Sequence, residues 1–243
     1  MLPTENPPAE EPPVSSATGR PLTKRGQQTR RRLLEAAEQV FADLGYHEAS
    51  IVKITEHAGV ALGTFYLYFD GKQAIFDELV LDLNSRVRHS MSESMASATN
   101  RIEAERLGFE GFFRFTAAHP ALYRVVREAE FVSPTMLRLH YERIVDGYRA
   151  GLAAAQRDGE IAAELDTDVV AWALMGAGEL IGMRYLLWER DAAGKPPAQI
   201  NPAVLDGMSD FITRALRPDH AENPAPGARP HVTESLREEE NDV

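Results

Sequence analysis

The stretch from Ser50 to Lys72, SIVKITEHAGVALGTFYLYFDGK, constrains this chain more than any other part of it. Ser50 is a good helix N-cap, and Ile51, Ile54 and Ala58 place small or apolar side chains on one helical face. Gly59 supplies the left-handed backbone of a sharp turn, and Val60 follows as a core plug. A second helix is expected from about Leu62 to Phe69, presenting Gly63, Thr64, Tyr66, Leu67 and Tyr68, with Lys72 closing the segment. A first helix, a glycine turn and an aromatic second helix backed by lysine is the pattern of a helix-turn-helix that reads DNA.

The segment resembles the DNA-binding domain of the TetR family of transcriptional regulators (TetR/AcrR type). The glycine-valine turn is Gly59–Val60, and the pattern that follows it falls on Gly63, Thr64, Phe65, Tyr66, Tyr68, Phe69 and Lys72. The preceding helix is similar too: Thr29 to Leu34 leads into Ala36–Ala37, then Val40–Phe41 and a terminating Gly45. The match runs over roughly residues 26 to 76. Val52 departs from it, standing where some members place a base-contacting arginine. The resemblance implies that Tyr66, Leu67, Tyr68 and Lys72 face the groove or its phosphates while Phe65 and Phe69 pack inward. It also implies a C-terminal half that binds an effector and dimerises.

Charge at first argues against a DNA partner, because the 243 residues carry a net charge of −11. Divided along the chain, the sign changes. Residues 20–72 hold eight Lys/Arg against six Asp/Glu, the only net-positive part, whereas 1–19, 73–216 and 217–243 are all acidic. Arg20, Lys24, Arg25, Arg30, Arg31 and Arg32 form an acid-free basic stretch suited to phosphate neutralisation. The plainer alternative for such a run is a solvated helix start. There is no cysteine, which excludes disulfides, thiolate chemistry and Cys-ligated zinc. With no long uncharged apolar run and no apolar segment after Met1, no membrane association is expected and a cytoplasmic location is the default.

Four regions are expected. Residues 1–19 and 217–243 read as disordered tails, rich in Pro and Glu, the second ending in Glu238–Glu239–Glu240. Residues 20–72 form the helix-turn-helix domain and 73–216 a helical effector-binding and dimerisation domain. Nearly everything between the tails has helical period, so the fold class is all-α, with about nine helices. Leu33, Leu34, Ala37, Val40, Phe41 and Leu44 mark the buried face of the first. Val169 to Trp188 reads as an eighth, opened by Asp166–Thr167–Asp168, and Pro202 to Leu216 as a ninth.

Within the motif, Gly63 allows close backbone approach to a duplex, or serves turn geometry alone. Thr64 suits a phosphate or a thymine methyl, and Tyr66 and Tyr68 offer flat rings with polar tips. Leu62 opens this helix. Ser50 caps its own helix and reaches a phosphate, Lys53 reaches a phosphate or base edge, and Arg30 joins the phosphate contacts. His57 is expected to be exposed and structural.

In the C-terminal half, Phe112, Phe115, Tyr123, Phe131, Tyr141, Tyr148 and Trp172 could line an apolar cavity between helices, with Glu179 and Arg184 orienting a ligand head group. Taken singly, each is as well explained by core or surface packing. Together they favour a small hydrophobic or aromatic effector, an acyl-CoA among them. Ala173, Gly176, Ala177, Leu180, Val204, Met208, Phe211 and Ile212, on the eighth and ninth helices, are candidates for a four-helix homodimer interface. Glycines cost a helix about 1 kcal/mol each against alanine, so Gly176, Gly178 and Gly182 call for a packing explanation. No pair of histidines has metal-ligand spacing, and no phosphate loop or nucleophile elbow occurs, so no metal or cofactor is expected. The expected function is a DNA-binding repressor of a palindromic double-stranded operator. A ligand-binding or adaptor protein without operator affinity, and a helical enzyme, are the alternatives.

Overall fold

Helix α1, Lys24–Glu48, begins where Thr23 accepts a hydrogen bond from the Gly26 N–H at 3.2 Å. The computed structural model describes residues 19–190 and 194–217. The expected tails, apart from Gly19 and Arg217, lie outside the described residues. Leu33, Ala36, Ala37, Val40 and Phe41 bury one face of α1. Gly45, at φ 77 and ψ 168, breaks its regular winding one turn before the end. Leu44 is not part of the buried face as expected. α6 reaches that end of α1 through Arg124 and Glu128, and Leu44 stays 38% exposed.

Helix α2, Ile51–Ala58, is capped at both ends as its residues predict: Ser50 Oγ accepts from the Lys53 N–H at 3.2 Å, and Gly59 takes φ 63, ψ 42. Helix α3 is shorter than expected, Leu62–Phe65, and residues 66–68 continue it as a turn. The backbone bonds there tighten to i−3, from Leu67 N to Thr64 O and from Tyr68 N to Phe65 O, while Phe65 and Phe69 are drawn into the core.

Helices α4 (Lys72–Met95), α5 (Arg101–Ala118), α6 (Ala121–Val132), α7 (Pro134–Arg157), α8 (Thr167–Gly182) and α9 (Pro202–Leu216) complete an all-α fold. α5 lies along α4, α7 packs on α4, α6 and α8, and α9 covers α5. Asp166 caps α8 through Oδ1, which accepts from the Asp168 and Val169 N–H groups. The expected eighth helix changes winding part-way: Met183–Trp188 is π-helical. One buried core runs from Leu33 in α1 to Leu216 in α9, so the helix-turn-helix and the helices behind it share a continuous apolar interior.

Thr167–Trp188, 22 residues with mean hydropathy 1.2, is long and apolar enough to cross a membrane, yet it carries Asp168, Glu179 and Arg184 and so is not an uncharged apolar run. Within the chain it packs on α7, and the face carrying Val169, Trp172 and Leu180 is left uncovered. Met208 and Ile212 are not available to a partner chain: both are buried on the face of α9 that meets α5, whereas Phe211 points outward.

Candidate DNA-binding surface and effector cavity

The second half of the motif presents a compact exposed patch. Leu62, Tyr66 and Leu67 are 46%, 48% and 47% exposed, with Thr64 and Tyr68 half-buried beside them. A Cβ added at Gly63 would meet no atom of the chain within 4 Å, so internal packing does not require glycine there. Phe65 and Phe69, 5.5 Å apart, anchor this patch from beneath.

The cations expected at phosphates are held differently. Lys72 Nζ donates to the carbonyls of Tyr46 (2.8 Å) and Ala49 (2.9 Å), with His47 O at 3.5 Å, and sits 4.3 Å from the Tyr46 ring centroid. These are last-turn carbonyls of α1 that have no helical partner, so the ammonium acts as a tether between α1 and α4. Lys53 Nζ donates to Glu48 O at 3.1 Å. Arg30 pairs with Glu78 of α4 and lies over the Phe69 ring at 5.2 Å. Arg32, expected with the rest of the basic stretch at phosphates, donates to Ala58 O at the end of α2. Ser50 Oγ accepts from its own cap N–H. Thus Lys72, Lys53 and Arg30 stand in intramolecular contacts, Arg31 pairs with Glu35 at 3.2 Å, and Lys24, Arg25, Arg31 and Lys53 are all exposed. An arginine at the end of a basic run carries no sequence mark that separates a carbonyl cap from a phosphate contact.

Behind the motif, helices α4 to α8 enclose a small apolar void of about 40 Å³. Met91 and Phe112 line it with Leu122, Tyr123 and Val126 of α6, His140, Tyr141 and Tyr148 of α7, and Met175 and Glu179 of α8. The Tyr123 hydroxyl donates to Glu179 O and the Tyr141 hydroxyl to Glu179 Oε1, each at 3.0 Å. Burial, reinforced by the Glu179 carboxylate, pushes both phenols above their ordinary range, so they remain neutral donors. Burial likewise lowers His140 to about 4, with Arg88 adding to the effect.

Five expected residues therefore line this void: Phe112, Tyr123, Tyr141, Tyr148 and Glu179. Four do not. Phe115 stacks on His119 at 4.5 Å, with the Arg86 guanidinium 5.5 Å from its ring. Phe131 is 82% exposed near the end of α6. Trp172 lies outside, 6.5 Å from the Tyr141 ring, and Arg184 pairs with Glu189 at 3.0 Å. A second, open and polar cleft of about 460 Å³ separates α1 from the start of α6, between Glu35, Glu38 and Asp43 on one wall and His119, Arg124 and Arg127 on the other.

Two of the three unexplained glycines are explained inside the chain. A Cβ on Gly178 would stand 2.6 Å from Phe109 Cε1, and one on Gly182 would collide with the Tyr123 hydroxyl. Gly176 meets nothing within 4 Å. Gly178→Ala is therefore expected to lower stability by about 1–3 kcal/mol through overpacking. Gly176→Ala should raise the stability of an isolated chain by about 1 kcal/mol and do the opposite if a partner helix packs there. Urea denaturation of both variants across protein concentrations reads the two signs.

α6 also reaches the other way, to α1. Arg124 Nη1 donates to Ala42 O at 2.7 Å and Asp43 O at 3.2 Å, and Glu128 Oε2 accepts from the Tyr46 N–H at 2.7 Å. A cation on orphan carbonyls and a carboxylate on a freed N–H together cap the kinked end of α1 at Gly45.

The fold is matched by known proteins. Residues 33–79 match the model of the bacterial regulatory proteins, tetR family. The HTH-type transcriptional regulator YdgC of Bacillus subtilis, itself uncharacterised, is 32% identical over 190 residues, which cover 76% of this chain and 93% of the relative. The chain belongs to the tetR family. This TetR-family regulator also resembles a fatty acid metabolism regulator protein of Bacillus subtilis, 29% identical over 149 residues, 60% of this chain and 77% of that one. Among solved structures, FadR from Bacillus subtilis in complex with stearoyl-CoA superposes with a TM-score of 0.66 at 21% identity, over 77% of this chain and 99% of FadR. GusR of Salmonella enterica superposes equally well, TM-score 0.66 at 24% identity, over 80% and 98%. At these identities the structural likenesses establish the fold alone.

Proposed function

We propose that this TetR-family regulator is a cytoplasmic homodimeric repressor that binds a palindromic DNA operator and releases it when a hydrophobic effector enters the void between α4 and α8. The observation that carries the reading is the double role of α6. Leu122, Tyr123 and Val126 line the void, while Arg124 and Glu128 of the same helix hold the end of α1. A ligand that displaces the first set moves the second. It acts only as far as it favours the non-DNA-binding state.

The void holds about 40 Å³, against the roughly 300–1,000 Å³ of a typical small-molecule site, so an effector would have to widen it. An apolar effector, an acyl-CoA or an aromatic compound, fits walls of this kind. The relative named for fatty acid metabolism and the stearoyl-CoA complex of FadR favour the acyl class. The apolar faces left open on α8 and α9, with Val169, Trp172, Ala173, Leu180 and Phe211, suit a second copy. A two-fold dimer would set two recognition helices on half-sites about 34 Å apart.

Tyr66→Ala tests the DNA surface. Tyr66 is half-exposed, so stability should change by no more than about 0.5 kcal/mol while operator affinity, measured by mobility shift on genomic fragments, falls at least about tenfold. Unchanged affinity would remove Tyr66 from the interface. Light scattering after gel filtration should give twice the mass of one chain, and a monomer would end the dimer reading.

A further inference from the structure

His140 is held in a single neutral tautomer. Asn84 of α4 is fully buried, and its Nδ2 donates to His140 O at 2.9 Å and stands 3.2 Å from His140 Nδ1. The carbonyl oxygen can only accept, so the amide nitrogen is fixed there, and its second hydrogen turns Nδ1 into an acceptor. The ring proton therefore resides on Nε2, which has no hydrogen-bond partner among the described residues.

Two of the other polar groups of the void are engaged: the Tyr123 and Tyr141 hydroxyls both donate to Glu179, while Tyr148 lies toward the buried Arg101–Glu105 pair. Arg88, the cation whose charge bears on His140, is exposed on α4, where solvent screens it. Among the described residues, Glu179 is the only acid lining the void.

We propose that His140 Nε2–H is the donor that fixes the polar end of the effector, and that it selects an uncharged carbonyl oxygen, as in an ester or thioester, over a free carboxylate. The inference rests on the effector reading above. A neutral N–H satisfies a carbonyl fully. A carboxylate at the same place would be stripped of water, left with one neutral donor, and set in the same void as Glu179. Burial supports the assignment, since it keeps the imidazole uncharged above about pH 4.

The test is calorimetric titration of the full chain with three probes: methyl octanoate, octanoate and octane. The ester is expected to bind about tenfold more tightly than either of the others, and His140→Phe to erase that preference while still binding octane. Octanoate binding as tightly as the ester, or a preference that survives in His140→Phe, overturns the inference and leaves the hydrophobic-effector reading standing. Binding by none of the three overturns both. Should His140→Phe fail to fold, ¹⁵N–¹H correlation of the wild-type imidazoles decides. The His140 Nε2–H resonance should shift on adding methyl octanoate, and a proton found on Nδ1 sinks the proposal.

Discussion

Lys72→Met is expected to lower operator affinity at least about tenfold while leaving the slope of log affinity against log salt unchanged. The ammonium bridges the Tyr46 and Ala49 carbonyls at 2.8 and 2.9 Å and lies on the Tyr46 ring, so its loss frees the end of α1 from the start of α4. That joint sets the entry to Ser50 and α2, and through them the pose of Tyr66. Hydrogen bonds to a charged group contribute about 1.5–3 kcal/mol, so a lower urea midpoint should accompany the lost affinity. A direct phosphate contact would behave otherwise: the salt slope would drop by about 0.9 and stability would hold. Measuring affinity at four or five salt concentrations separates the two.

The second large effect is expected at Gly45. Its φ of 77 and ψ of 168 lie in a region that side chains other than glycine scarcely enter. Alanine there should cost about 1–3 kcal/mol in backbone strain, and its Cβ would come within 2.5 Å of Glu128 Oε1 and 2.9 Å of Arg124 Nη2. Both atoms end flexible side chains and can move aside, but moving them undoes the cap that α6 places on α1. Gly45→Ala should therefore lose stability by urea titration and also show an operator affinity that responds less to an effector. A variant with wild-type stability would refute the strain, and one with a wild-type effector response would refute the coupling.

Much of this could be read from the residues. Ser50, Gly59 and Asp166 announce helix ends because capping is local chemistry, settled within three or four residues. Gly45 ends the regular part of α1 for the same reason. The exposed row Leu62, Tyr66 and Leu67 follows from Phe65 and Phe69 facing inward, a matter of spacing. What could not be read depends on partners far along the chain. Lys72 at the head of a helix has the same sequence appearance whether its ammonium meets a phosphate or the carbonyls of residues 46 and 49. The recurrence of Gly176, Gly178 and Gly182 marks close packing without saying what packs. The structure gives Gly178 to Phe109 and Gly182 to Tyr123, and leaves Gly176 open. Met208, Phe211 and Ile212 share one apolar stripe, yet only the position of α5 shows which of them is covered. Phe115 and Phe131 are as aromatic as Phe112, and only their places along α5 and α6, one against His119 and one exposed near a helix end, keep them out of the void.

A void of about 40 Å³ has a consequence for dosage on the proposed reading: an effector needs a wider form, and its apparent dissociation constant would be its intrinsic one divided by the fraction of chains in that form. The concentration that switches the genes on the proposed reading is thus written partly into the seating of Phe109 on Gly178 and of Tyr123 on Gly182, residues that need never touch the ligand's polar end. Loosening those seats would make the same regulator respond to less of the same compound. Tightening them would raise the threshold with the recognition chemistry intact.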